Sequence, residues 1–283
     1  MVVITLAAAA ELMNDFEAVE THIKGLGKIV NLRGGVRALN THSNMQVKVC
    51  RADLTYALLL GHRPLLFKED ISWDCFIADC GLVKCTHQPH DAHVRAFAEV
   101  TVDTRLHNAM RDLHAFSCIS NVAYQTKSKL SPDTYNEMTI SILYRLAHLS
   151  FERDPLQEAI RIGLLSFAST VFMQRHFMEQ PYDHLLNIYS NALLKLYEST
   201  NIDLPVPILL WLTMLSHVAM AKGHLPMDWR SVWLDEVILR AGIDSWPQLR
   251  EMLRSIAWVD FIHDQLGKQA FEAAMVRLER IAE

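Results

Sequence analysis

Glycine and proline are scarce in this chain of 283 residues: 10 and 9 of them, below the usual ~7% and ~5%. That scarcity excludes collagen-like, low-complexity and loop-heavy disulfide scaffolds, and it favours helices. Cysteine is sparse too. The five thiols, Cys50, Cys75, Cys80, Cys85 and Cys118, are odd in number, and a chain this long needs no disulfide framework, so a reducing compartment is expected. Basic charge is in deficit: 27 Lys and Arg against 32 Asp and Glu leave a formal charge of -5. With no run of Lys or Arg, the chain is not expected to hold nucleic acid by its own electrostatics. Long apolar runs are also missing. The longest, 206–221, carries Pro207, Thr213, Ser216 and His217 and falls short of the ~20 residues a spanning helix needs, so a buried core helix and no membrane is the reading. The opening MVVITLAAAA has no positive residue before it and no polar cleavage region after it, so it does not read as a secretory signal.

What is present is apolar mass. Half of the residues, 51%, are hydrophobic, enough to bury a sizeable core, and at ~150 residues per domain the length allows one large domain or two small ones. Apolar residues at Met13, Phe16, Val19, Ile23, Leu26 and Val30 step by three or four along one long first helix. Gly34 and Gly35 after Arg33 supply its left-handed cap, and Gly25 and Gly27 either weaken it or let another helix approach. Ser43 and Gln46 form a capping box for a second helix that stops at Gly61 and Pro64. Periodicity fades over 62–92, an irregular connection and a candidate sub-boundary. A third helix runs through Leu106, Met110, Leu113 and Phe116. Ser131 with Pro132, then Asp154 with Pro155, start a fourth and a fifth helix as an antiparallel pair. The fifth, about 155–176, is apolar nearly all round and should lie inside the bundle. Further helices are expected near 181–198, 207–221, 231–241, 247–256 and 267–281. The expectation is an all-α, irregular bundle of about ten helices in one domain over 1–283.

Few catalytic patterns are present. There is no G-x-S-x-G, no G-x-x-x-x-G-K-[ST], no G-x-G-x-x-G, no H-E-x-x-H and no pair of adjacent aspartates. Cys75, Cys80, Cys85, His87, His90 and His93 gather six possible metal ligands within nineteen positions. Their spacing departs from the C-x2-4-C and H-x3-5-H pairs of structural zinc sites, and Pro89 interrupts the histidines. A polar loop flanking a helix start accounts for them, with Cys80, Cys85, His87 and His90 kept as the candidate ligands and no cofactor expected. His107 and His114 read as helix neighbours, and Cys118 as a small core residue. Trp211, Trp229, Trp233, Trp246 and Trp258 crowd the last third and read first as core, although with Met214, Met220 and Met227 they could line a pocket.

Five ordered blocks resemble the fungal-specific transcription factor regulatory domain, the helical region that follows six-cysteine binuclear zinc clusters. THIKGLGKIVNLRGG resembles the family's H-x-x-G-L-x-x-[MI]-[VI]-x-L-R-G-G block through His22, Gly25, Leu26, Ile29, Val30, Leu32, Arg33, Gly34 and Gly35. The R-A-D-L that follows, with Arg51 and Asp53 and then Pro64 and Phe67, is similar to its R-x-D block. QEAIRIGLLSF, with Arg161, looks like its E-x-x-R-[LI]-[AG]-x-L helix, and PILLWLTMLSHVAM like its L-L-W-x-L helix around Trp211. SWPQLREMLRSIAWVD resembles its closing element, anchored by Trp246 and Trp258.

The resemblance implies a nuclear regulator that controls gene expression through protein partners and a small-molecule effector, and no enzyme. Physically, the matched residues read as fold-specifying: Arg33 and Arg51 can bond exposed carbonyls or pair with Asp53, and the paired glycines allow a tight turn. The chain departs from the family by lacking any C-x2-C, so the zinc-cluster DNA reader does not carry over, as if the chain were a truncated regulator. Two other readings are a helical enzyme or binding protein for an apolar metabolite, and a cytoplasmic interaction scaffold.

Overall fold

An asparagine, not a glycine, divides the N-terminal apolar stretch. The computed structural model describes residues 2–68, 71–75, 97, 100–128, 130–173, 182–199, 204–220 and 228–282. In it the single first helix expected from periodicity is two, α1 (Val2–Leu12) and α2 (Phe16–Leu32). Asn14 takes a left-handed φ of 56°. Its N–H reaches Glu11 O at 3.0 Å and that of Asp15 reaches Ala10 O at 2.9 Å, the double bond of a Schellman cap. Asp15 then caps α2 by accepting from Ala18 N. Periodicity cannot register such a break, because the apolar stripe resumes in phase on the other side.

The same cap ends α2 with glycines. Gly34 and Gly35 have φ of 94° and 86°, and their N–H groups bond Asn31 O and Val30 O, as the R-G-G reading requires. A short 3-10 helix (Val36–His42) leads into α3 (Ser43–Leu60), which stops at Gly61 with φ 75°. After the long connection come α4 (Thr104–Thr126), α5 (Pro132–His148), α6 (Pro155–Phe172), α7 (Asp183–Glu198), α8 (Val206–Ala219), α9 (Asp228–Ala241), α10 (Trp246–Arg254) and α11 (Asp260–Ala282). Among the described residues every regular element is helical, so the chain is all-α.

Local sequence explains most starts. Asp103, Ser131 and Asp154 accept from Arg105 N, Thr134 N and Gln157 N, and Pro132 and Pro155 open their helices where no N–H is needed. α11 begins two turns earlier than periodicity indicates. Its first N–H, of Asp260, is satisfied by Asn121 Oδ1 of α4 at 2.9 Å, a cap that no nearby residue announces. α6 ends at Phe172, short of the 176 expected, and residues from 174 lie outside the described ones.

α6 and α8, the two most apolar sequences after α1, form the hub. α6 lies against α4, α5, α7 and α8, and α8 against α6, α7, α9, α10 and α11. Gly163 brings them together: a Cβ there would lie 2.7 Å from Leu212 Cδ2 and 3.0 Å from Trp211 Cζ3. Buried side chains from Ala7 to Ala274 join into one core.

Candidate functional site

Residues 65–67 are held in an unusual conformation by a buried carboxylate. Asp53 on α3 is 2% exposed and accepts from Leu65 N at 2.8 Å, Leu66 N at 3.0 Å and the Tyr144 hydroxyl at 2.8 Å. Of the two roles open to Arg33 and Arg51, pairing with Asp53 is not the one seen, since these bonds occupy it: a carboxylate can accept several N–H and O–H donors without a buried cation beside it. His148 Nε2 reaches Leu66 O at 3.2 Å, so with Nε2–H it donates there. Thus fixed, Phe67 sits at φ 54°, a left-handed conformation that costs a bulky residue about 1–2 kcal/mol. Its ring meets the Tyr144 ring edge-on at 4.8 Å.

That strained residue forms part of the wall of a half-open cleft of about 530 Å³ between the start of α3 and the length of α5, within the range of small-molecule sites. Gln46 and Val47 line it from α3, Phe67 and Ile71 from the connection, and Glu137 and Tyr144 from α5. The lining is mixed, an apolar wall with amide, carboxyl and phenol groups. Burial shapes the chemistry beneath it. It holds the Asp53 carboxyl above its usual range against the pull of Leu65 N, Leu66 N and Tyr144, and it raises the Tyr144 phenol well above 10, with Asp53 adding to the effect. Burial also pushes the Cys50 thiol up to about 12 and lowers the His148 imidazole. At neutral pH the phenol and thiol are therefore protonated donors. The floor is fixed by a buried ion pair: Arg145 Nη2 meets Asp112 Oδ2 at 2.6 Å with both side chains at most 1% exposed. Arg145 Nη1 also holds Asp74 O at 3.1 Å. With that floor fixed, the lining side chains Gln46, Asn136 and Glu137 can hydrogen-bond a ligand whose apolar part meets Phe67 and Ile71.

Of the motif residues, Asp53 and Phe67 belong to this site, and the other described ones stand elsewhere. His22 and Gly25 are half-buried on α2, Leu26 is in the core, and Arg33, Gly34 and Gly35 make its C-terminal cap. Arg161 grips Glu158 through Nε at 2.9 Å and gives Nη1 to Leu146 O at 3.0 Å. Trp211 is buried with Nε1 on Ala257 O at 2.8 Å. Trp258, also buried, donates to Asp264. Gly267 admits Trp246 and Trp258, its virtual Cβ falling 3.0 Å and 2.8 Å from their rings. Trp211, Trp233 and Trp258 thus lie in the core, Trp229 and Trp246 pack half-buried against it, and the cleft is lined by none of them.

Of the six possible metal ligands only Cys75 is described, with Sγ 3.6 Å from Asn108 O and 3.3 Å from Arg111 Nη1. Cys80, Cys85, His87, His90 and His93 lie outside the described residues. Among the described residues no group of three or more His, Cys, Asp or Glu is placed to hold a metal. No described helix is long and apolar enough to cross a membrane. Cys118 is buried as expected, with His114 Nε2 at 3.7 Å. Phe67 belongs to the block matched by Arg51 and Asp53, whereas Tyr144 and the Asp112–Arg145 pair escape sequence reading, because partners 33 to 91 residues apart define them. The one available signal was a Tyr-Arg dipeptide inside the apolar helix ISILYRLAH.

No family model, curated protein or solved structure matches this chain.

Proposed function

We propose that this chain is the regulatory domain of a transcription regulator of the fungal zinc-cluster type, acting in the nucleus through protein partners and a small-molecule effector. It has no catalytic role and no DNA reader of its own. The five ordered sequence blocks carry the proposal. Its support in the molecule is that residues from these blocks, from Arg33 to Trp258, serve as helix caps and core anchors, which is what a fold signature without catalytic chemistry requires. The cleft beside Phe67 is the effector site in this reading, since strain is often kept where a ligand clamps.

Chromatin immunoprecipitation of the tagged chain, paired with a gel shift of the purified protein, tests it. Enrichment at promoters in cells, with no shift of the same fragments by the protein alone at physiological salt, is the expected pair of results. A shift by the pure protein, or no promoter enrichment, would contradict it.

A further inference from the structure

Arginine is used one way again and again in this fold. Arg105, Arg161, Arg254 and Arg277 each turn the Nε and Nη2 edge of the guanidinium toward both oxygens of a carboxylate: Asp103, Glu158, Asp260 and Asp235 respectively. That edge is the planar fork that matches a carboxylate. Arg230 on α9 is the departure. Its side chain is 1% exposed, yet among the described residues Nε and Nη2 have no hydrogen-bond partner. Nη1 is engaged, with Ser216 O at 3.4 Å and Met220 Sδ at the end of α8. The carbonyl end of α8 offsets a fraction of one charge. A buried guanidinium without an acid is strongly disfavoured, because its lost hydration is not repaid.

A second unsatisfied group lies beside it. His217, buried on α8 close to Arg230, has no hydrogen-bond partner at Nε2 among the described residues. Asp235, a described acid near His217, is occupied on both oxygens by Arg277 at 2.7 Å. Tyr189, buried and facing Arg230, spends its hydroxyl on Leu212 O at 2.8 Å. Among the described side chains around Arg230, none offers it a free carboxylate.

We infer that the Nε and Nη2 edge of Arg230 is a binding site for the carboxylate of a small organic acid, with His217 Nε2 as the neighbouring polar contact. The site is separate from the cleft beside Phe67 and does not depend on the transcriptional reading. Filling it would give Arg230 the bidentate arrangement its four counterparts have, and would satisfy the orphaned nitrogens.

The test uses the full chain and two simple probes. Thermal unfolding is followed in sodium acetate against sodium chloride at equal ionic strength, for the native chain, Arg230→Met and Arg230→Gln. Acetate should raise the native midpoint above the chloride value. The variants should lose that gain, with at least about tenfold weaker apparent binding, and Arg230→Met should be no less stable than the native chain in chloride, because it removes an unpaired buried charge. Independently, the line width of 13C-formate should broaden with native protein and sharpen on adding acetate. Identical acetate responses in native and variant chains, or no formate broadening with native protein, would overturn the site.

Discussion

Gly25 and Gly163 show how the same residue type means opposite things within one fold. A Cβ at Gly25 would meet nothing within 4 Å, so this helical glycine only costs backbone entropy. Gly25→Ala is expected to stabilise by about 0.5–1 kcal/mol. Gly163→Ala drives a methyl into Leu212 and Trp211 between the two hub helices and should destabilise by about 1–3 kcal/mol despite its better helix propensity. Urea titrations of the two variants should show midpoints moving in opposite directions; a shift of the same sign in both would refute the assignment of Gly163 as the α6–α8 contact. In sequence both glycines read alike, because what decides the outcome comes from a helix more than forty residues away.

At the scale of elements, α4 and α5 are joined by the buried pair of Asp112 and Arg145. Removing either partner leaves the other charged and dry, so Asp112→Leu and Arg145→Met should each cost about 3–5 kcal/mol, whereas the double variant should recover most of it. A double-mutant cycle by chemical denaturation reads this directly, and additive losses would mean that the pair is not what joins the helices. A smaller loss, about 1–2 kcal/mol, is expected for Tyr144→Phe, which takes one of three bonds from Asp53; an unchanged midpoint would show that the hydroxyl does not hold the cleft floor. Helix starts were legible where the cap is local, as at Ser131 and Asp154. They were not where the cap comes from another helix, as with Asn121 on α11, or where a break is made by Asn14 within an unbroken apolar stripe.

For the molecule as a whole, two buried histidines set the acid limit. His263 accepts from Val259 N through Nδ1 and meets Thr170 Oγ1 through Nε2. Burial lowers it to about 3, and burial together with Arg230 lowers His217 to about 4. Both folded values lie below the ordinary 6.5, so the unfolded chain binds protons first as pH falls. Stability is therefore full above pH 6.5 and is lost below it, by up to about 1.4 kcal/mol per pH unit for each histidine. Asp53, raised by burial, opposes this by taking its proton more readily when folded. Urea midpoints measured from pH 7.5 to 5.5 should fall, and His217→Gln with His263→Gln should flatten the slope; an unchanged slope would contradict neutral burial.

At this largest scale the helical class and the buried positions of α6 and α8 could be read from composition and periodicity, because burial all round leaves a mark in a single segment. The cleft could not, since Gln46, Phe67 and Tyr144 come from three separated segments. The orphaned Arg230 could not either, since an absent partner leaves no trace in sequence. The regulatory role is tested most directly by fusing the chain to an unrelated DNA-binding module and measuring a reporter with matching sites. The account predicts a several-fold change in reporter output relative to the module alone, in either direction, at equal protein level. Output indistinguishable from the module alone would contradict it.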